Sequence, residues 1–127
     1  MSAAAAAEGV DMQLKKAFQD LQVQMIETKQ RLRQGELISD AQKSQIRVAE
    51  ITKQELLTLP ETTPTYQAVG RMFVRRSVTE SVSAQDKRMS VAQEKIASIQ
   101  KHREYLEKSM KDAEGNLRDM VQSRQAR

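Results

Sequence analysis

Residues 85–124 read QDKRMSVAQEKIASIQKHREYLEKSMKDAEGNLRDMVQSR. Alternating steps of four and three through this stretch select Gln85, Met89, Ala92, Ile96, Ile99, Arg103, Leu106, Met110, Ala113, Leu117, Met120 and Arg124, and charged or amide residues fill most positions between them. A spacing that averages about 3.5 residues holds one narrow apolar stripe toward one partner helix, the requirement for a left-handed coiled coil. No proline interrupts the run. At a rise of about 1.5 Å per residue it makes a helix on the order of 60 Å long.

Such a helix cannot cover its own stripe, so another helix of the same chain is expected to supply the other half. Upstream, Leu14, Phe18, Leu21, Met25, Thr28 and Leu32 step by four and three in the same way, and Asp11 is placed to cap a helix over 11–51. Beyond Leu32 two phases compete. Gly35 continues the first, whereas Leu37, Ala41, Ser44, Val48 and Ile51 form a more apolar series in a shifted phase, which predicts a stutter near the glycine. The alanine run before it, ending in Gly9, has no large apolar residue to dock it, and residues 1–10 are expected to form a disordered tail.

Between the helices lies a connector, residues 52–64. Thr52 followed by Glu55 has the form of a capping box, so the first helix is expected to break near Ile51, with a short helical turn carrying Leu56, Leu57 and Leu59 to Pro60. Residues 65–69 and 72–76 are rich in β-branched, aromatic and apolar side chains, and Gly70–Arg71 between them matches a type II′ hairpin turn, which takes glycine first. The second strand is drawn through Arg76; because Arg75 and Arg76 sit side by side, where alternation sends them to opposite faces, an earlier end is the alternative. Ser77 with Glu80 then opens a second helix over 77–124 as another capping box, and residues 125–127 are a short tail. The expected class is mainly α, a long antiparallel two-helix coiled coil joined by a β-hairpin. Folding about the hairpin brings together positions whose numbers sum to roughly 134, which places Leu14 near Met120 and Met25 near Met110.

Composition agrees with an extended helical chain. The 127 residues include no Trp, two Phe and two Tyr, so the side chains that fill a thick core are scarce. There is no Cys, which excludes a disulfide framework and a thiolate metal site and suits a reducing compartment. No apolar run is long enough to span a membrane, and the amino-terminal residues lack the basic and apolar regions of a signal peptide, so none is expected and a cytoplasmic location is expected. The net charge of +4 arises from 21 basic residues interleaved with 17 acidic ones, the pattern of a solvated coiled coil rather than of a nucleic-acid site.

Catalysis finds no support. His102 is the only histidine and lies beside the seam of an amphipathic helix, the place of a solvated surface residue. Glycines occur singly, so no glycine-rich loop cradles a phosphate, and neither a cofactor nor a metal is expected.

Function is expected at the two ends of the hairpin-linked helices. A lone hairpin is marginal in water, and its open edges invite strands from other chains, so Tyr66, Ala68, Val69, Gly70, Met72, Phe73 and Val74 are candidate oligomerisation residues. At the free ends the helices lack a loop and are expected to fray. Leu14, Phe18, Leu21, Met25, Met110, Leu117, Met120 and Val121 gather there, and methionine-rich apolar surface adapts to unrelated segments.

The chain resembles prefoldin, in particular a β-class subunit. The resemblance is carried by Asp11 with Leu14, Lys15, Lys16, Ala17 and Phe18; by Glu55, Leu56, Leu57, Thr58 and Leu59; by Tyr66 and Val69, Gly70, Arg71, Met72 and Phe73; and by Tyr105, Leu106, Glu107, Lys108 and Ser109. It implies a heterohexamer of two α-class and four β-class subunits whose hairpins build a double β-barrel. It also implies distal tips that hold unfolded proteins such as actin and tubulin and pass them, without ATP, to the cytosolic group II chaperonin. The alanine tail has no counterpart in that pattern. Two other readings are a coiled-coil scaffold that tethers one specific partner and a basic arm that grips RNA, which strong salt dependence would reveal.

Overall fold

The computed structural model describes residues 2–125. Helix α1 spans Ser2–Leu57, strand β1 Thr65–Val69, strand β2 Met72–Arg76 and helix α2 Val78–Gln125. The chain forms two compact units, one of Met1–Gly35 with Lys101–Arg127 and one of Glu36–Gln100.

In the unit that holds both chain ends, α1 and α2 run antiparallel. Asp11 pairs with Arg124, and Gln24 Nε2 donates to Ser109 Oγ at 3.4 Å. Thr28 and Leu106 are the buried residues here, and Leu14, Leu21, Met25, Leu32, Met110, Ala113 and Leu117 are half-buried. The sequence expectation of a disordered tail with a cap at Asp11 is corrected: α1 is already helical at Ser2 and passes through Gly9. Alanine has the highest intrinsic helix propensity, and a run of it carries the helix across one glycine that costs about 1 kcal/mol. Of the short tail expected at 125–127, Gln125 is the last residue of α2; the other two lie outside the described residues, as does Met1.

In the other unit the seam of α1 keeps its original phase. The covered positions include Ser39, Gln42, Ile46, Ala49, Lys53 and Leu56, while Leu37, Ala41, Ser44, Val48 and Ile51 face solvent, Leu37 at 63% exposure. The shifted phase and its stutter are therefore absent from this unit. The phase is dictated by α2, whose stripe of Gln85, Met89, Ala92, Ile96 and Ile99 is covered as read from the sequence. Small and polar residues on α1 accommodate that stripe. Between the helices of this unit Lys53 Nζ lies 2.7 Å from Asp86 Oδ1.

Thr52 does not cap a new helix. Its Oγ1 donates to the Val48 carbonyl at 2.8 Å, the back-bonding available to a threonine inside a helix, and α1 continues to Leu57. Tight turns then close the helix, with Thr58 N donating to Glu55 O and Leu59 N to Leu56 O. At the start of α2, Glu80 N donates to Ser77 Oγ at 3.1 Å, so the second capping box forms its side-chain cap.

The hairpin has the expected register, with Thr65 opposite Arg76, Gln67 opposite Val74 and Val69 opposite Met72. Gly70 has φ of 62°, and no other residue has a positive φ among the described residues. One left-handed residue at the first central position is the signature of a type II′ turn. β2 runs through Arg76, as drawn from the sequence, and the earlier end is not taken: opposite residues share a face, and the two arginines divide between faces. Arg76 shares its face with Thr65, whose Oγ1 donates to the Arg76 carbonyl; Arg75 lies opposite Tyr66.

Candidate functional site: an apolar terminal unit and an uncovered hairpin

Among the described residues, solvent-open grooves run between the helices of the terminal unit. Leu14, Phe18, Leu117 and Val121 line one of about 450 Å3, flanked by Asp11, Lys15, Gln19 and Gln22. Met25 and Met110 line a second with Thr28 and Leu32. Met120 lines a third with Ala3, Ala6, Ala7 and Val10. Seven of the eight apolar tip residues thus reach a groove, and the eighth, Leu21, is half-buried.

Phe18 is 52% exposed although its phase places it on the seam, since a two-helix unit can cover only part of a large aromatic ring. At the end of α2 the covered position is Val121, and Met120 turns outward to meet the alanine-rich first turns of α1. Those first turns are what the sequence reading missed. Val10, Met12, Val23 and Ile26 were missed as well; all are apolar, exposed and off the seam. Their signal was large apolar residues at positions where a heptad places polar ones.

Among the described residues of the terminal unit no charged side chain is buried. Arg103, a seam position by phase, is exposed and pairs with Glu107 Oε1 at 3.0 Å one turn along. His102 stacks on Tyr105, ring centroids 6.4 Å apart and 17° from parallel, at the exposed surface. Among the described residues no group of His, Asp and Glu is placed to hold a metal ion, and no helix is long and apolar enough to cross a membrane.

The hairpin presents a different surface. Tyr66, Ala68, Phe73 and Arg75 share one face, and all four are exposed, Phe73 at 74%. The other face holds Thr65, Gln67 and Arg76, which are half-buried, together with exposed Val69, Met72 and Val74. Gln67 Oε1 is buried without a hydrogen-bond partner among the described residues. A two-stranded sheet with one face wholly uncovered and both edges unpaired is incomplete as a folding unit.

Two helices joined by a hairpin of this form, apolar where the chain ends meet, define a subunit built to assemble with others. Comparison with known proteins gives the family. Residues 19–124 match the family described as "Prefoldin subunit". The chain is 39% identical over 114 residues to "Probable prefoldin subunit 1" of Caenorhabditis elegans, covering 90% of this chain and 97% of that one. It is 36% identical over 117 residues to "Prefoldin subunit 1" of Homo sapiens, covering 92% and 96%. The fold is also similar to the crystal structure of the prefoldin beta subunit from Thermococcus strain KS-1, with a TM-score of 0.65 at 13% identity over 84% of this chain and 90% of that one. The chain belongs to the prefoldin subunit family, and membership implies assembly with other prefoldin subunits.

Proposed function

We propose that the chain is a β-class subunit of a heterohexamer of two α-class and four β-class subunits. Its terminal unit holds unfolded or nascent polypeptides, of the actin and tubulin class, for delivery to the cytosolic group II chaperonin without ATP. The observation that carries the reading is the set of open grooves, in which Leu14, Phe18, Met25, Met110, Leu117, Met120 and Val121 meet solvent at the end of a two-helix unit. Their apolar surface suits transient capture of exposed hydrophobic segments, and methionine lets one groove fit several shapes. The work is binding rather than catalysis, and its place is the cytoplasm.

The hairpin is the assembly element in this reading. Tyr66, Ala68, Val69, Met72, Phe73 and Val74 would be covered, and both edges paired, in a β-barrel shared with sibling subunits. Family membership supports the assembly, and the exposed aromatic face supports the hairpin as its locus.

The test replaces Leu14, Phe18 and Met120 together with Ser in the assembled complex. The expected result is an intact six-chain assembly by native mass spectrometry that no longer suppresses aggregation of denatured actin. Unchanged suppression would remove the tip from the mechanism. Recovery of one stoichiometric ligand in place of many clients would favour a tether.

A further inference from the structure

We propose that a groove in the hairpin-bearing unit, distinct from the terminal grooves, docks an amphipathic helix of a partner protein whose apolar face is flanked by acidic side chains. The groove runs between α1 and α2, is open to solvent and has a volume of about 750 Å3. Ala49 and Ala92, 3% and 2% exposed, form its floor. Small side chains at seam positions of both helices leave a shallow channel rather than a filled ridge.

Its walls are mixed, with Gln42, Ser44 and Gln45 on the α1 side, and carry an exposed valine on each helix. Val48 from α1 and Val91 from α2 are 60% and 42% exposed, one on each side of the alanine floor. Both groove sides are helices, whose backbone groups are satisfied internally, so an extended strand would find no ladder to join; a third helix brings its own hydrogen bonds and only an apolar stripe to bury. The α2 side runs from Ala84 to Lys95, the length of roughly three helical turns.

The rim fixes the charge of the occupant. Lys87, Arg88 and Lys95 line the groove, and no acidic residue does. None of the three cations has an Asp or Glu three or four positions away in either direction, so intrahelical pairing of the kind made by Arg103 and Glu107 is closed to them. Lys53 and Asp86, in the same unit, show that an acid within reach is used. Three cations beside an alanine floor, with no ion pair among the described residues, complement an acidic-flanked helix.

The test uses the full chain in its assembly and two designed helical peptides of the same apolar stripe, one flanked by Glu and one by Lys, followed by fluorescence anisotropy. Saturable binding of the Glu-flanked peptide, weakened by salt and at least about tenfold tighter than that of the Lys-flanked one, is expected. Lys87→Glu, Arg88→Glu and Lys95→Glu together reverse the preference, while Val91→Asp abolishes binding of both peptides; circular dichroism reports that the helices persist. The tip variant with Leu14, Phe18 and Met120 changed to Ser keeps full peptide binding, which separates this groove from client holding. Equal binding of the two peptides, or an affinity unmoved by the charge reversal, would overturn the proposal. So would groove-dependent self-association in sedimentation, or preferential binding of single-stranded RNA lost in the reversed variant.

Discussion

Asp11 and Arg124 form an ion pair between α1 and α2 in the terminal unit, beside the groove that Leu14, Phe18, Leu117 and Val121 line. The pair joins helix ends that no loop connects. Both side chains are nearly half exposed, so its worth is that of a surface pair, about 0.2–1 kcal/mol. Asp11→Asn is expected to raise amide exchange in the first turns of α1 and the last of α2 while leaving global unfolding nearly unchanged. A double-mutant cycle with Arg124→Gln should give a coupling that fades as salt is added. A coupling insensitive to salt would mean that the two residues act through packing.

The seam predicts a sharp contrast between two leucines. Leu106 is buried and Leu37 exposed, although both belong to apolar four-three series in the sequence. Leu106→Ala is expected to destabilise the chain by about 2–5 kcal/mol, the range for truncating a core leucine. Leu37→Ala should change stability by no more than about 0.5 kcal/mol. Urea denaturation of the two variants decides it, and comparable losses would restore the shifted phase.

At the hairpin tip, a Cβ on Gly70 would meet nothing within 4 Å, so substitution there is a matter of backbone torsion alone. Alanine in the left-handed region costs about 1 kcal/mol, and asparagine less. Gly70→Ala should therefore lower the melting temperature of the assembly, with Gly70→Asn intermediate. An order in which asparagine is the worse of the two would point to a contact with a neighbouring subunit.

Phe73→Ser removes the most exposed aromatic of the hairpin without touching either helix seam. On the proposed reading the variant keeps its helicity by circular dichroism but appears in native mass spectra as free chain. Normal incorporation into six-chain complexes would place the assembly energy elsewhere.

The sequence was most legible where backbone chemistry leaves few choices. A glycine between two β-rich runs marked the turn, and both strands begin and end where composition placed them. The α2 stripe was equally plain from Gln85 to Leu117, with Arg103 its one exposed member, because large residues recur there on a single phase. Helix α1 was harder to read. Its apolar residues offer two phases between Leu32 and Leu56, and counting bulk favoured Leu37, Val48 and Ile51 over Gly35, Ser39 and Ala49. Which phase wins is a property of the pair of helices, since α2 sets the stripe that α1 must meet. Thr52 and Gly9 misled for a related reason: each carries a boundary signal of about 1 kcal/mol, which a long helix with continuing contacts or a strong alanine run absorbs. The terminal apolar set was visible in the sequence, but its division among separate grooves, and the share taken by Val10 and the alanine turns, depended on Met120 facing outward.

The bare face formed by Tyr66, Ala68 and Phe73 also bears on the life of the chain before it finds neighbours. A newly made copy on its own displays aromatic surface and two open strand edges, features that mark a polypeptide as unfinished. Its survival is then a matter of supply, because the folded form gains stability by mass action as sibling concentrations rise. A cell that makes this chain in surplus would carry orphans for its degradation machinery to clear, so the steady amount of the chain should follow its scarcest companion rather than its own rate of synthesis.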